Sequence, residues 1–189
     1  MRRALLLIDV INDFFHPGGR NYYSVYDEIL EHIKSALDIA RQQKLMIVHV
    51  RENHPPQNKL DFEFEKLPHH CLTGTSDIDW APGIEVGTGE YVVEKRRYSA
   101  FFETGLNLLL KEQGIDQVII VGVKTHVCIR ATAQDAFGWG YRPILIREAV
   151  GSNYKHLHDA SLEDITRYMG NVISLDELQS LLSCIEGEK

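Results

Sequence analysis

The chain has 189 residues, 44% of them hydrophobic and 25% charged, and its 20 Lys plus Arg against 27 Asp plus Glu leave a formal net charge of −7. Size and composition predict a single soluble globular domain spanning residues 1–189 and exclude disorder and a coiled coil. The acidic balance argues against nucleic-acid and anionic-membrane partners, because the one basic cluster is Lys95-Arg96-Arg97. No apolar run approaches the roughly 18 residues that a membrane span needs. The N-terminus passes from Met1-Arg2-Arg3 directly into an apolar strand, so no targeting segment is expected. Three widely spaced cysteines, Cys71, Cys128 and Cys184, do not form a disulfide framework and suit a reducing cytoplasm.

Apolar runs of strand length alternate with stretches of helical period. Ala4 to Ile8 is a continuous apolar run, as in a strand buried on both faces, and it ends at Asp9. Ser24 to Gln43 reads as a helix with Ile29, Ile33, Leu37 and Ala40 on one face, followed by a strand from Leu45 to Val50. Residues 51–90 hold four of the six prolines (Pro55, Pro56, Pro68 and Pro82) and no long period, which predicts an active-site insertion. Tyr91 to Val93 is a strand, and a helix over 102–113 stops at Gly114, a residue suited to a left-handed cap. Val118 to Val121 is the most hydrophobic strand. A helix over 126–139, a strand over 143–146, a helix over 155–168 and a strand over 171–173 follow. A terminal helix opens on the capping box Ser174 and Glu177, and Cys184 is expected to pack within it.

This alternation predicts an α/β fold, three-layered and doubly wound, with a mostly parallel sheet and helices on both faces. Ligands in such sheets lie at the carboxyl ends of the strands. Asp9, Glu52, His54, Lys95 and the 124–128 segment all follow apolar runs. Taken singly each has an ordinary reading: Asp9 as a turn residue, Lys95 as a surface lysine, Cys128 as a small buried hydrophobe. Together they compose a nucleophile, a cation and a carboxylate. Cys128 falls in the first turn after the central strand, where amide N–H groups and a nearby lysine favour a thiolate and a carboxylate moves the proton. The amides of the Gly122-Val123-Lys124-Thr125 turn and of Cys128 can hold an oxyanion.

Three segments in this order resemble the isochorismatase-like cysteine hydrolases, and within them the nicotinamidase (pyrazinamidase) branch. They are Leu6-Leu7-Ile8-Asp9-Val10-Ile11-Asn12-Asp13-Phe14, then Lys95 with Tyr98-Ser99-Ala100-Phe101, and then Gly122-Val123-Lys124-Thr125-His126-Val127-Cys128 continuing through Ala131 to Ala136. The resemblance implies six parallel strands, a catalytic set of Asp9, Lys95 and Cys128, a cis peptide between Val123 and Lys124, and an oxyanion hole from the amides of Lys124 and Cys128. It also implies cysteine-dependent release of ammonia from a small carboxamide, nicotinamide to nicotinate foremost, as in NAD salvage, and homo-oligomers.

Within the insertion, Glu52 and His54 lie two residues apart and so face one side of an extended chain, while Glu63, Glu65 and His69-His70-Cys71 follow. A carboxylate with two imidazoles suits zinc, iron or manganese, and an exposed, proline-rich polar lid is the competing reading. Nicotinamidases carry segments similar to Glu52-Asn53-His54-Pro55 and to His70-Cys71-Leu72-Thr73-Gly74-Thr75. The resemblance therefore implies a divalent metal, zinc foremost, on Glu52, His54 and His70, with Glu63 as the additional carboxylate. Two residues depart from the pattern: Glu52 stands where Asp is usual, and His126 where an acidic residue is more common. Phe14 and Trp80 are candidates for the pocket wall or for plain core packing. Hydrolysis of a carbamoyl or ureido compound without metal, and a non-catalytic binding protein of the same fold, are the alternatives.

Overall fold

Strand β1 (Arg3–Ile8) lies at the centre of the molecule because its alternate residues feed two separate cores. Leu5 and Leu7 face one layer, and Leu6 and Ile8 face the other. It is joined by β2 (Met46–Glu52), β3 (Tyr91–Lys95), β4 (Gln117–Val123), β5 (Arg142–Gly151) and β6 (Asn171–Ile173), all parallel and in the order β3-β2-β1-β4-β5-β6. The computed structural model describes residues 1–56 and 61–183, so Cys184 lies outside the described residues. The helices are α1 (Asn12–Phe15), α2 (Val25–Gln42), α3 (Leu106–Glu112), α4 (Arg130–Gly138), α5 (Lys155–Tyr168) and α6 (Leu175–Ser183). Residues of α2 and α6 pack in the core with Leu5 and Leu7, and those of α3, α4 and α5 in the core with Leu6 and Ile8. This is the three-layer α/β architecture that the alternating pattern predicts.

The strand order reverses between β1 and β4, so their carboxyl ends open a crevice at that point. Gly122 makes the approach possible. It has φ 117°, and a Cβ there would lie 2.0 Å from the Ile8 carbonyl oxygen. A cis peptide joins Val123 and Lys124. Among the described residues no helix is long and apolar enough to cross a membrane.

Several boundaries differ from the sequence reading for local reasons. The helix expected over 102–113 starts at Leu106, because Thr104 Oγ1 accepts from the Leu106 amide at 3.2 Å and donates to the Ala100 carbonyl at 2.5 Å, forming a turn. The helix expected over 126–139 begins instead as a π-helical turn, Thr125–Ile129, with α4 proper starting at Arg130. Strand β5 runs on to Gly151, past a register shift against β4. The two predicted end signals hold: Gly114 has φ 62°, and Ser174 and Glu177 exchange bonds of 2.6 and 3.1 Å.

Candidate active site

Asp9 leaves β1 in a left-handed conformation, φ 55°, with its amide bonded to the Val50 carbonyl at 2.8 Å. Its Oδ1 accepts from the Glu52 amide at 2.7 Å, which leaves Oδ2 facing the crevice. Glu52 and Lys95 are register partners on β2 and β3, so their side chains project on the same face. Lys95 is 1% exposed, an unusual state for a lysine, and three groups account for it. Its Nζ lies 2.9 Å from Asp9 Oδ2, 3.6 Å from Glu52 Oε2 and 3.5 Å from Cys128 Sγ. Cys128 is buried in the π-helical turn, as is Asp9 at the end of β1. The three residues singled out from separate segments therefore converge on one ammonium.

Burial dominates the proton affinities here. It raises the Asp9 carboxyl to about 6 against the opposing pull of Lys95. It also holds the Cys128 thiol well above its usual range, outweighing Lys95, so the resting sulfur is a neutral thiol and not the thiolate that turn position alone suggests. Burial works against the charged Lys95, but the carboxylates of Asp9 and Glu52, with any charge that develops on Cys128 adding to them, keep its ammonium well above the ordinary lysine value. At neutral pH the set is a carboxylate, an ammonium and a thiol.

Beside it, Glu52, His54, Glu63 and His70 present four donor atoms that all lie within 4.8 Å of one another. His54 Nε2 is 2.8 Å from Glu52 Oε1 and 2.7 Å from Glu63 Oε1, and His70 Nε2 is 3.6 Å from Glu52 Oε1. One imidazole nitrogen cannot direct a single proton along both lines, and Glu63 Oε1 is buried without a hydrogen-bond partner. The outer nitrogens have neighbours of their own, that of His54 at ion-pair distance and without a hydrogen bond. His70 Nδ1 donates to the Pro68 carbonyl at 2.8 Å, and His54 Nδ1 lies 3.1 Å from Asp61 Oδ2, which turns both Nε2 atoms toward the cluster. Two carboxylates and two imidazoles so oriented fit a divalent transition-metal ion. As the protein stands, burial opposes a charged His54, but Glu52 and Glu63 outweigh it and raise its pKa to about 10. Asn53 turns away from these ligands to Glu94, and exposed His69 stacks on Phe64. Glu65 is exposed.

Asp61 carries no motif of its own in the sequence, yet besides His54 it takes Arg96 at 3.0 Å and Arg97 at 2.7 Å. The basic cluster is thus divided between the buried Lys95 and the clamp on Asp61. Phe14 is buried beneath the Lys124 ammonium, whereas Trp80 packs edge-on against His49 with Arg51 above its ring. His126 Nδ1 lies 2.7 Å from Ser152 Oγ, and burial followed by Lys124 lowers its proton affinity. Cys71 is buried, with Sγ 3.7 Å from Asp13 Oδ2, and burial raises its thiol.

Residues 3–177 match the family model described as the isochorismatase domain. Among curated proteins the chain is similar to maleamate amidohydrolase of Pseudomonas putida (32% identity, covering 97% of this chain and 88% of that one). It is also similar to N-carbamoylsarcosine amidase of an Arthrobacter species (29%, 97% and 72%) and to nicotinamidase 3 of Arabidopsis thaliana (30%, 95% and 88%). Among solved structures it resembles pyrazinamidase of Pyrococcus horikoshii in complex with zinc, with a TM-score of 0.84 at 26% identity over 92% of this chain and 99% of that one. Sheet order, crevice and sequence likeness agree: the chain belongs to the isochorismatase family, and within it to the amidohydrolases.

Proposed function

We propose that this chain hydrolyses a small primary carboxamide to the acid and ammonia through a thioester on Cys128. The observation that carries the reading is the buried Lys95 ammonium held at once against Asp9 and Cys128, at 2.9 and 3.5 Å. A carboxylate oxygen of Asp9 lies within 4.8 Å of the Cys128 sulfur, and Asp9 is ionised at neutral pH, so it accepts the thiol proton as Sγ attacks the carbonyl carbon. The C–S bond forms as the carbonyl π electrons move to oxygen. The Lys124 and Cys128 amides receive that oxyanion, a contribution of about 3 kcal/mol per donor in enzymes that use an oxyanion hole. The intermediate collapses with cleavage of the C–N bond, and protonated Asp9 delivers its proton to the departing amine. Asp9 then deprotonates the water that attacks the thioester, and the proton returns to sulfur as the C–S bond breaks. Lys95 keeps Asp9 ionised between steps and offsets the charge that develops on sulfur.

Glu52, His54, His70 and Glu63 would hold a divalent ion, zinc being the first to test and iron or manganese the others. When bound, such an ion supplies a Lewis-acidic anchor for a substrate heteroatom. The protein's own part in that anchor is to fix the ligands: Asp61 and the Pro68 carbonyl orient the two imidazoles. Solvent-free burial of Lys95 and Asp9 protects the thioester from stray water. We place the reaction in the cytoplasm, with a homo-oligomer as the assembly.

Nicotinamide, the amide that the family resemblance implies, and maleamate, for which one relative is named, are the first two substrates to assay. Ammonia release by the native protein and its loss in Cys128→Ala is the expected result. Full activity in that variant would overturn the nucleophile assignment.

A further inference from the structure

The Lys124 side chain, carried by the turn that leads into Cys128, makes no ion pair among the described residues. Its carbonyl accepts from the amides of Val127 at 3.0 Å and Ile129 at 3.2 Å, so the residue opens the turn that carries Cys128. The side chain is half-buried, with Nζ 5.7 Å from the Phe14 ring centre and 6.0 Å from that of Tyr23. Those contacts lie near the limit of cation–π attraction, about 6 Å. The hydrogen bond that holds the ammonium runs to a neutral acceptor, Asn21 Oδ1 at 2.8 Å. Asn21 is itself aimed, because its Nδ2 donates to the buried Asp13 at 2.6 Å. Among the described residues no carboxylate lies within ion-pair distance of Lys124 Nζ. An ammonium has three donors, and withdrawing one from water without a counter-ion is costly. Burial accordingly weakens the hold of Lys124 on its proton, and charge on Cys128, Asp13 and Glu52 acts the other way from a distance. A bound anion would remove that cost.

We infer that Lys124 receives an anionic group of the substrate, so that the preferred amide carries a carboxylate a few bonds from the scissile carbonyl, as in the half-amide of a short dicarboxylic acid. This rests on the amide-hydrolysis reading above and narrows its substrate class, since a neutral amide brings the ammonium no contact counter-ion. Phe14 and Tyr23 then flank a short planar acyl chain, and Asn21 is a positioning residue that points the ammonium along it.

The test compares the half-amide of maleic acid with its neutral methyl ester. The native protein is expected to favour the half-amide in kcat/KM. Lys124→Met is expected to reduce that preference about 10- to 100-fold, the range of a charge-assisted hydrogen bond, chiefly through KM, with Lys124→Arg restoring part of it. Asn21→Ala should raise KM for the half-amide more than for the ester. Calorimetric binding of both ligands to Cys128→Ala, with and without Lys124→Met, reads the same discrimination without turnover. Selective half-amide binding lost with Lys124, in a protein that releases no ammonia from either compound, would support the carboxylate site and remove the hydrolytic reading. Equal handling of the charged and neutral ligands by the native protein, absence of binding by both, or a preference that survives Lys124→Met would overturn the inference.

Discussion

Replacing Lys95 with Met removes the cation shared by Asp9 and Glu52 while nearly conserving volume. Both carboxylates are buried, and their separations from Nζ are 2.9 and 3.6 Å. Breaking a buried pair by deleting one partner costs about 3–5 kcal/mol, because the other charge is left in a poor solvent. For a chain of this size each kcal/mol shifts the melting temperature by about 2–4 °C, so a fall of about 6–20 °C is expected near neutral pH. The pH dependence is more specific than the fall itself. In the native protein Glu52 is held well below its usual value, burial being outweighed by Lys95 and the two histidines, so it contributes stability above pH 4.5 that is lost as pH falls. Without the ammonium, the folded-state pKa values of Glu52 and Asp9 both rise. The folded variant then takes up protons that the unfolded chain does not, and its deficit shrinks as pH falls. Thermal melts of metal-free native and Lys95→Met protein from about pH 5 to 9 should show the gap widest at the alkaline end. A gap independent of pH, or widening toward acid, would refute the assignment of Lys95 as the counter-ion of both carboxylates.

Three further outcomes follow from the same geometry. Because burial sets Asp9 near 6 and its carboxylate is the reactive form, kcat/KM should fall about tenfold per pH unit below that value and level off above it; an acidic limb centred near 4 would contradict the placement. Asp61→Asn, which loosens the orientation of His54, should weaken zinc binding by about 10- to 100-fold in a chelator competition, and His70→Ala should weaken it further. Gly122→Ala forces a Cβ against the Ile8 carbonyl oxygen at 2.0 Å in a backbone with φ 117°, and should cost about 4 kcal/mol or more by urea denaturation, or prevent folding.

The layered sheet was legible because strands buried on both faces leave unbroken apolar runs, as in Leu5 to Ile8 and Val118 to Val121. The carboxyl-end rule brings Asp9, Lys95 and the 124–128 segment to one side of the sheet from sequence order alone. The π-helical turn at Thr125–Ile129 was not legible, since it has the same apolar spacing as the helix it precedes. Neither was the Leu106 start of α3, where a single threonine hydroxyl diverts the backbone. Asp61 could not be singled out because its role depends on a fold-back of the insertion that places it against His54 and the two arginines at once. The neutral resting thiol also eluded the sequence: a lysine nearby argues for thiolate, and only the depth of burial reverses the sign. Trp80 illustrates the ambiguity of aromatics in a lid, since its ring is taken up by His49 and Arg51.

Acylation of Cys128 is the step on which the proposed hydrolysis turns. Cleavage after Lys124 and Arg130 isolates the peptide Thr125–Arg130, in which Cys128 is the one nucleophilic thiol. Acid-quenched turnover with a substrate amide should give this peptide a mass increase equal to the acyl group, absent in Cys128→Ala. Steady production of acid and ammonia by the native protein with this peptide unmodified, and equal production by Cys128→Ala, would contradict the account.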